Sequence, residues 1–239
     1  MRSAKVKKSR IIRAEKTIGI IGGMGPYATL EFFRYLLDAT PVRKDWEHVH
    51  IIIDNNPKTP SRTRAFLYEE ASPVPMMRES ALRLMNAGAD LLTLPCNSAH
   101  YFMPEVLKDI DAPFVNMVDE TAKVIQQEGY GKVGLLGGEV TTKAGLYEQR
   151  LDKTGIEVLH VGESRQNLVN GLIEDAKLDR VGKATFSTME ALVKFLRTEG
   201  AEAIILACTE LPMITKAMDN DCDIVDSLDC LTRAVLARV

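Results

Sequence analysis

Two stretches of this chain repeat each other, and the second stretch in each half ends at a cysteine. Thr-Ile-Gly-Ile-Ile-Gly-Gly (Thr17 to Gly23) returns as Lys-Val-Gly-Leu-Leu-Gly-Gly (Lys132 to Gly138). Likewise Gly-Ala-Asp-Leu-Leu-Thr-Leu-Pro-Cys-Asn-Ser (Gly88 to Ser98) returns as Gly-Ala-Glu-Ala-Ile-Ile-Leu-Ala-Cys-Thr-Glu (Gly200 to Glu210). The spacings nearly agree, 115 residues from Thr17 to Lys132 and 112 from Cys96 to Cys208. An internal duplication explains both. If the halves pack about a pseudo-twofold axis, Cys96 and Cys208 occupy matching strand ends and face each other across one crevice. Two thiols on opposite sides of one carbon suit the inversion of a stereocentre.

The rest of the pattern supports that architecture. Short apolar runs of strand length occur at Ile18 to Ile21, Val49 to Ile53, Leu91 to Pro95, Phe114 to Asn116, Val133 to Leu136, Val158 to Val161, Ala203 to Ala207 and Ile224 to Val225. Stretches of helical period separate them: Ala28 to Leu37, Pro75 to Ala87, Met117 to Gln127, Lys143 to Asp152 and Thr188 to Thr198. Nearly continuous apolar strands alternating with helices imply parallel sheets covered on both faces. The expected fold is therefore α/β, with two pseudo-symmetric doubly wound parallel-sheet domains and the active site in the cleft between them. Residues 17–115 form the first domain and 116–214 the second, with the segment 215–239 returning to the first. No Gly/Ser-rich or Pro-rich tract divides them, so the junction near residues 112–118 is expected to be tight.

With 239 residues, a net charge of −3 and no basic stripe in the folded region, the chain is not expected to bind nucleic acid. The exception is the extreme N-terminus, where Arg2, Lys5, Lys7, Lys8, Arg10, Arg13 and Lys16 face one acid, Glu15. Residues 1–16 read as a solvated, mobile extension, with a targeting peptide or anion-binding tail as alternatives; no apolar core of a secretory signal is present. No run of 18 apolar residues suggests a membrane span. Cys96, Cys208, Cys222 and Cys230 form no CxxC pair and read as free thiols of a cytoplasmic protein. Cys222 and Cys230 have no counterparts in the duplication and read as structural.

In open α/β sheets, ligands bind beyond the carboxyl ends of strands. Gly22-Gly23-Met24-Gly25-Pro26 lies there, and its glycines can admit a small anion to the following helix. A plain structural turn is the alternative, and Gly23-x-Gly25-x-x-Ala28 also fits a loose dinucleotide pattern that Pro26 weakens. Cys96-Asn97-Ser98-Ala99-His100 supplies two metal-ligand types, but nothing nearby completes a set, so no metal is expected. Its repeat, Cys208-Thr209-Glu210, favours paired thiol function. Asp54-Asn55-Asn56-Pro57 and, a few residues on, Arg62 reach the same crevice. An Arg fork suits a carboxylate, although turn residues and a solvated Arg explain this stretch equally well.

Together, Ile-Gly-Ile-Ile-Gly-Gly-Met-Gly-Pro, Asp-Asn-Asn-Pro followed by Arg62-Thr63, Pro-Cys-Asn-Ser-Ala-His-Tyr-Phe and Cys-Thr-Glu-Leu-Pro strongly resemble the aspartate/glutamate racemase superfamily, aspartate racemases most of all. The similarity runs from about residue 17 to the end of the chain. It implies two pseudo-symmetric α/β domains, a homodimer, and racemisation without pyridoxal phosphate, metal or any other cofactor. By position, Cys96 and Cys208 are the implied catalytic thiols, and Met24, Asn55, Asn97, Ser98 and Thr209 the implied cleft lining. Arg62, and Lys177 on the helix from Val169, are the implied carboxylate ligands. Three features depart from the family: no Tyr follows Ile173, Ser98 stands where Thr is commoner, and Gly137-Gly138 replaces Ala-Thr, which bears on carboxylate binding near Thr141.

The implied substrate is a small dicarboxylic amino acid, aspartate first and glutamate second. Maleate isomerases, arylmalonate decarboxylases and hydantoin racemases share the scaffold and remain alternatives, as does a non-enzymatic anion-binding thiol module. Retention of both cysteines favours a two-base racemase over a decarboxylase, and Arg62 favours an acidic substrate over a hydantoin.

Overall fold

The structure, a computed structural model, describes residues 16–215 and 223–239. All of the basic extension except Lys16, and the cysteine Cys222, lie outside the described residues. Each apolar run noted above overlaps a strand: β1 (Ile18–Gly22), β2 (Ile51–Asn55), β3 (Leu91–Thr93), β4 (Phe114–Val115), β5 (Lys132–Gly137), β6 (Glu157–His160), β7 (Ala203–Ala207) and β8 (Asp223–Asp226). The intervening helices are α1 (Pro26–Ala39), α2 (Arg62–Tyr68), α3 (Val74–Asn86), α4 (Met103–Val106), α5 (Met117–Glu128), α6 (Glu139–Lys143), α7 (Glu148–Leu151), α8 (Glu163–Lys177), α9 (Lys183–Thr198), α10 (Pro212–Thr215) and α11 (Ser227–Leu236).

The strands form two all-parallel sheets, ordered β2-β1-β3-β4 and β6-β5-β7-β8. The second order is the first advanced by four strands. Register carries the repeat to single residues, since Gly19 pairs with Leu92 and Gly134 with Ile204. Those partners are separated by the same 115 and 112 residues as the sequence motifs.

The central strands β1, β3, β5 and β7 are buried on both faces, which is why they read as unbroken apolar runs. Ile18 and Ile20 share a core with Phe32 and Leu36, whereas Ile21 faces Met77 and Leu84 on the other side. Ala203 and Ile205 alternate in the same way with Ile204 and Leu206. The repeated glycine inside β1 and β5 lets a helix lie close on the strand. A Cβ at Gly19 would meet Ala89 Cβ at 2.7 Å and Leu84 Cβ at 3.3 Å; one at Gly134 would meet Ile204 Cδ1 at 2.7 Å and Leu196 Cβ at 3.0 Å.

The two lobes exchange their last helices. β4 leads from the first sheet into α5, whose Val118, Ala122 and Ile125 pack in a core of the second. β8 leads from the second sheet into α11, whose Leu228, Leu231 and Val235 pack with Ile18 and Phe32 of the first. The caps match as well: Asn116 accepts from the N–H groups of Val118 and Asp119, and Asp226 from that of Leu228.

Two details differ from the sequence reading. The segment 215–239 does not return as a whole, because β8 still pairs with β7 and only α11 crosses back. The helix expected over Lys143 to Asp152 is split into α6 and α7, because Gly145 takes a positive φ of 61° between them.

Candidate active site

In each sheet the chain leaves the two central strands in opposite directions, so a crevice opens beyond their carboxyl ends. The ends of β1, β3, β5 and β7 point into one cavity between the lobes, of about 240 Å³. From the first lobe come Met24 after β1, Arg62 at the start of α2, and Cys96, Asn97 and Ser98 after β3. The second lobe supplies Thr141 on α6, Lys177 on α8, and Cys208 and Thr209 after β7. Asn55 is the exception among the expected lining residues. It is exposed at the end of β2, the edge strand, one strand removed from the crevice between β1 and β3.

Gly23 has φ 88°, and a Cβ there would lie 2.3 Å from the backbone carbon of Asn56. The glycine is therefore required for packing of the β1 loop against the loop after β2. That accounts for it without a pyrophosphate, and the cavity is smaller than the ~300–1,000 Å³ usual for drug-sized ligands.

The two thiols have different surroundings. Cys96 Sγ lies 3.4 Å from Ser98 Oγ. Its main chain is held by His100, whose Nδ1 lies 2.8 Å from the Cys96 carbonyl oxygen while Nε2 accepts from the Met117 N–H at 3.1 Å. Both ring nitrogens thus face backbone groups, and the partners require the neutral tautomer with hydrogen on Nδ1. His100 is a bracket for the Cys96 loop rather than a metal ligand. Among the described residues no group of three or more His, Cys, Asp or Glu is placed to hold a metal ion.

Cys208 donates to Glu210 Oε2 at 3.0 Å, and Thr209 Oγ1 donates to the same oxygen at 3.1 Å. Burial first, then the Glu210 charge, pushes the Cys208 thiol well above its ordinary range, and nearby Cys96 adds to the effect. Cys208 is therefore a protonated thiol at neutral pH. Cys96, Cys208 and Cys230 are all free cysteines.

Two cations reach the cavity. Arg62 donates to the main-chain carbonyls of Pro60 at 2.9 Å and of Thr59 and Met24 at 3.4 Å. Its Nε is buried without a partner, and no acid pairs with it among the described residues. Lys177 is bound to Glu174 at 2.8 Å. Burial lowers the pKa of the Lys177 ammonium, but Glu174, Glu210 and Cys208 outweigh it, and the net shift is upward. Sequence reasoning missed Glu210, Glu174, Asn170 and Glu139 in the lining. Glu210 was within reach, since it ends the second copy of the cysteine motif, and so was Glu139, which follows the repeated Gly-Gly; Asn170 and Glu174 sit on α8, where the duplication marks nothing.

His100 also makes a stability prediction. Burial holds it neutral down to about pH 4, whereas an ordinary histidine titrates near 6.5. As pH falls, the unfolded chain takes up this proton first, so the contribution is fully present above 6.5 and is lost between 6.5 and 4. The loss is on the order of 3 kcal/mol when complete. Denaturant titrations should show stability falling through this window, and less steeply in His100→Asn. An unchanged slope in the variant would mean that other groups set the dependence.

Fold and cavity define the class: the chain belongs to the Asp/Glu/Hydantoin racemase family, whose model matches residues 21–235. It is similar to the broad specificity amino-acid racemase RacX of Bacillus subtilis (strain 168), 29% identical over 224 residues that cover 92% of this chain and 96% of the relative. Among solved structures it is similar to Picrophilus torridus aspartate racemase, with 31% identity, 93% and 94% coverage and a TM-score of 0.84. An aspartate racemase homologue from Pyrococcus horikoshii OT3 follows at 26% identity, 93% and 98% coverage and a TM-score of 0.78.

Proposed function

We propose that this chain is a cofactor-independent amino-acid racemase that interconverts L- and D-aspartate, with glutamate second, by two-base proton transfer between Cys96 and Cys208. The reading rests on one observation above all: pseudo-equivalent strand ends in two lobes deliver two free thiols to one small cavity. In one direction the Cys96 thiolate takes the Cα proton, the electron pair left on Cα spreads into the α-carboxylate, and the Cys208 thiol protonates the opposite face. The reverse direction exchanges the roles. Ser98 and Thr141 line the same cavity, and their hydroxyls are the proposed donors to the α-carboxylate where charge grows.

Incubating L-aspartate with enzyme dialysed against chelator and treated with hydroxylamine should yield D-aspartate at the untreated rate. Activity that disappears and is restored by pyridoxal phosphate would contradict the mechanism. A cytoplasmic homodimer accompanies the reading and is checked by cell fractionation and sedimentation.

Arg62 is the proposed ligand for the side-chain carboxylate, motivated by its unpaired, buried Nε at the cavity. A charge-assisted hydrogen bond contributes roughly 1.5–3 kcal/mol, so Arg62→Met should weaken kcat/KM for aspartate by about one to two powers of ten. Unchanged aspartate kinetics would remove the support for a dicarboxylic substrate.

One observation favours a second reading, a wider substrate range. Lys177 already has a carboxylate partner in Glu174, so the wall opposite Arg62 offers both charges. The breadth of the RacX relative is in keeping with this. Testing neutral and basic amino acids beside aspartate and glutamate separates the two readings.

A further inference from the structure

We infer that Tyr147 and Ser227, neither of which lines the cavity, fix the separation of the two thiols through a buried hydrogen-bond chain that crosses between the lobes twice. The inference rests on the racemase reading above and names positioning residues for it.

Tyr147 Oη donates to Asn97 Oδ1 at 2.7 Å, Asn97 Nδ2 donates to Ser227 Oγ at 3.0 Å, and Ser227 Oγ donates to the Leu206 carbonyl oxygen at 2.8 Å. The directions are mutually determined. The single Ser227 hydroxyl hydrogen goes to Leu206, so Ser227 must accept from Asn97; the amide nitrogen therefore faces Ser227 and its oxygen faces Tyr147. Tyr147 and Ser227 are 0% exposed and Asn97 is 3% exposed. Asn97 lies in the cavity lining, as the resemblance implied, but both polar atoms of its carboxamide have protein partners.

The chain runs between the reacting groups. Tyr147 belongs to the second lobe, packed in the core with Leu135 and Ile205. Asn97 follows Cys96 in the first lobe. Ser227 opens α11, the helix that crosses back, and Leu206 lies two residues before Cys208 on β7. Between Cys96 and Cys208 there stand only Asn97, two hydrogen bonds through Ser227, and the end of β7. The duplication does not explain this. Thr209 is the repeat of Asn97, and its hydroxyl bonds to adjacent Glu210 rather than across the cleft.

A buried hydrogen-bond network adds only modest net stability, but it allows one geometry and rejects others. Two-base inversion needs that selectivity, because both sulfurs must reach one Cα together, and misplacement by about 1 Å can cost on the order of a hundredfold. Proton abstraction on one face needs only one sulfur.

The test compares these two demands. Tyr147→Phe and Ser227→Ala remove one hydroxyl each and keep most of the packing. Each is expected to lower kcat for aspartate racemisation about tenfold with KM little changed. Elimination of chloride from 3-chloroalanine needs one thiol to take the Cα proton as the Cα=Cβ bond forms and chloride departs. For the enantiomer each thiol serves, that rate should change by less than about twofold. Parallel losses in both reactions, or no loss in racemisation, would overturn the inference. A substrate-free arm separates this outcome from failure of the functional reading: a short bis-alkylating reagent should join Cys96 to Cys208 in the wild-type chain and less efficiently in both variants. If the wild-type chain racemises nothing, the functional reading fails and crosslinking alone decides the inference, equal yields counting against it.

Discussion

Cys96→Ser and Cys208→Ser should each abolish interconversion of the enantiomers, with racemisation falling by about a thousandfold or more, within the ~10²–10⁴ that a positioned acid or base contributes. The reason is geometric: the thiols come from β3 in one lobe and β7 in the other, and neither can serve both faces of a carbon held between them. Each variant should still take a proton from one enantiomer of a substrate with a good β-leaving group, and the two variants should prefer opposite enantiomers. Near-normal racemisation by either variant, or a shared enantiomer preference, would exclude opposed bases.

Glu210→Gln is expected to lower kcat/KM for racemisation by about a hundredfold, equally in both directions. Equality follows because enantiomers are equally stable in water, which ties the two kcat/KM values together. The loss itself follows from the Cys208 thiol, which is buried and donates to Glu210 at 3.0 Å. It is ready to give its proton, but before it can act as a base it must be stripped of one, and the Glu210 carboxylate is the adjoining acceptor. Glutamine offers a similar shape and accepts no proton. The sign of the pH effect is also set. Removing the carboxylate removes a cause of the raised Cys208 pKa, so residual activity limited by Cys208 ionisation should rise at lower pH than in the wild type. If neither the rate nor the alkaline limb moves, Glu210 has only a packing role.

Much of this was legible in the sequence because duplication constrains residues in pairs. The repeated Gly-Gly and Cys motifs placed four strand ends at one crevice, and the 115- and 112-residue spacings reappear as the register of β1 with β3 and β5 with β7. Strands buried on both faces leave an apolar signal that does not depend on partners far along the chain. What escaped depends on such partners. Helix α2 has no buried residue, so no apolar stripe marks it, and yet it carries Arg62 to the cavity. Asn55 ends a strand much as the cysteines follow theirs, but strand order, invisible in a single strand, puts β2 at the edge. The partners of the Asn97 carboxamide, Tyr147 and Ser227, lie 50 and 130 residues away, where no local motif points.

Two opposed bases leave an isotopic signature that tests the central claim most directly. L-aspartate should be converted by the wild-type enzyme in deuterium oxide and both enantiomers analysed at low conversion. Each thiol exchanges its hydrogen with solvent before it donates, so the first D-aspartate formed should carry deuterium at Cα while the remaining L-aspartate stays unlabelled. Deuterium entering L-aspartate as fast as D-aspartate, or D-aspartate that keeps the original hydrogen, would show that one group serves both faces and would contradict the assignment of Cys96 and Cys208 as a pair.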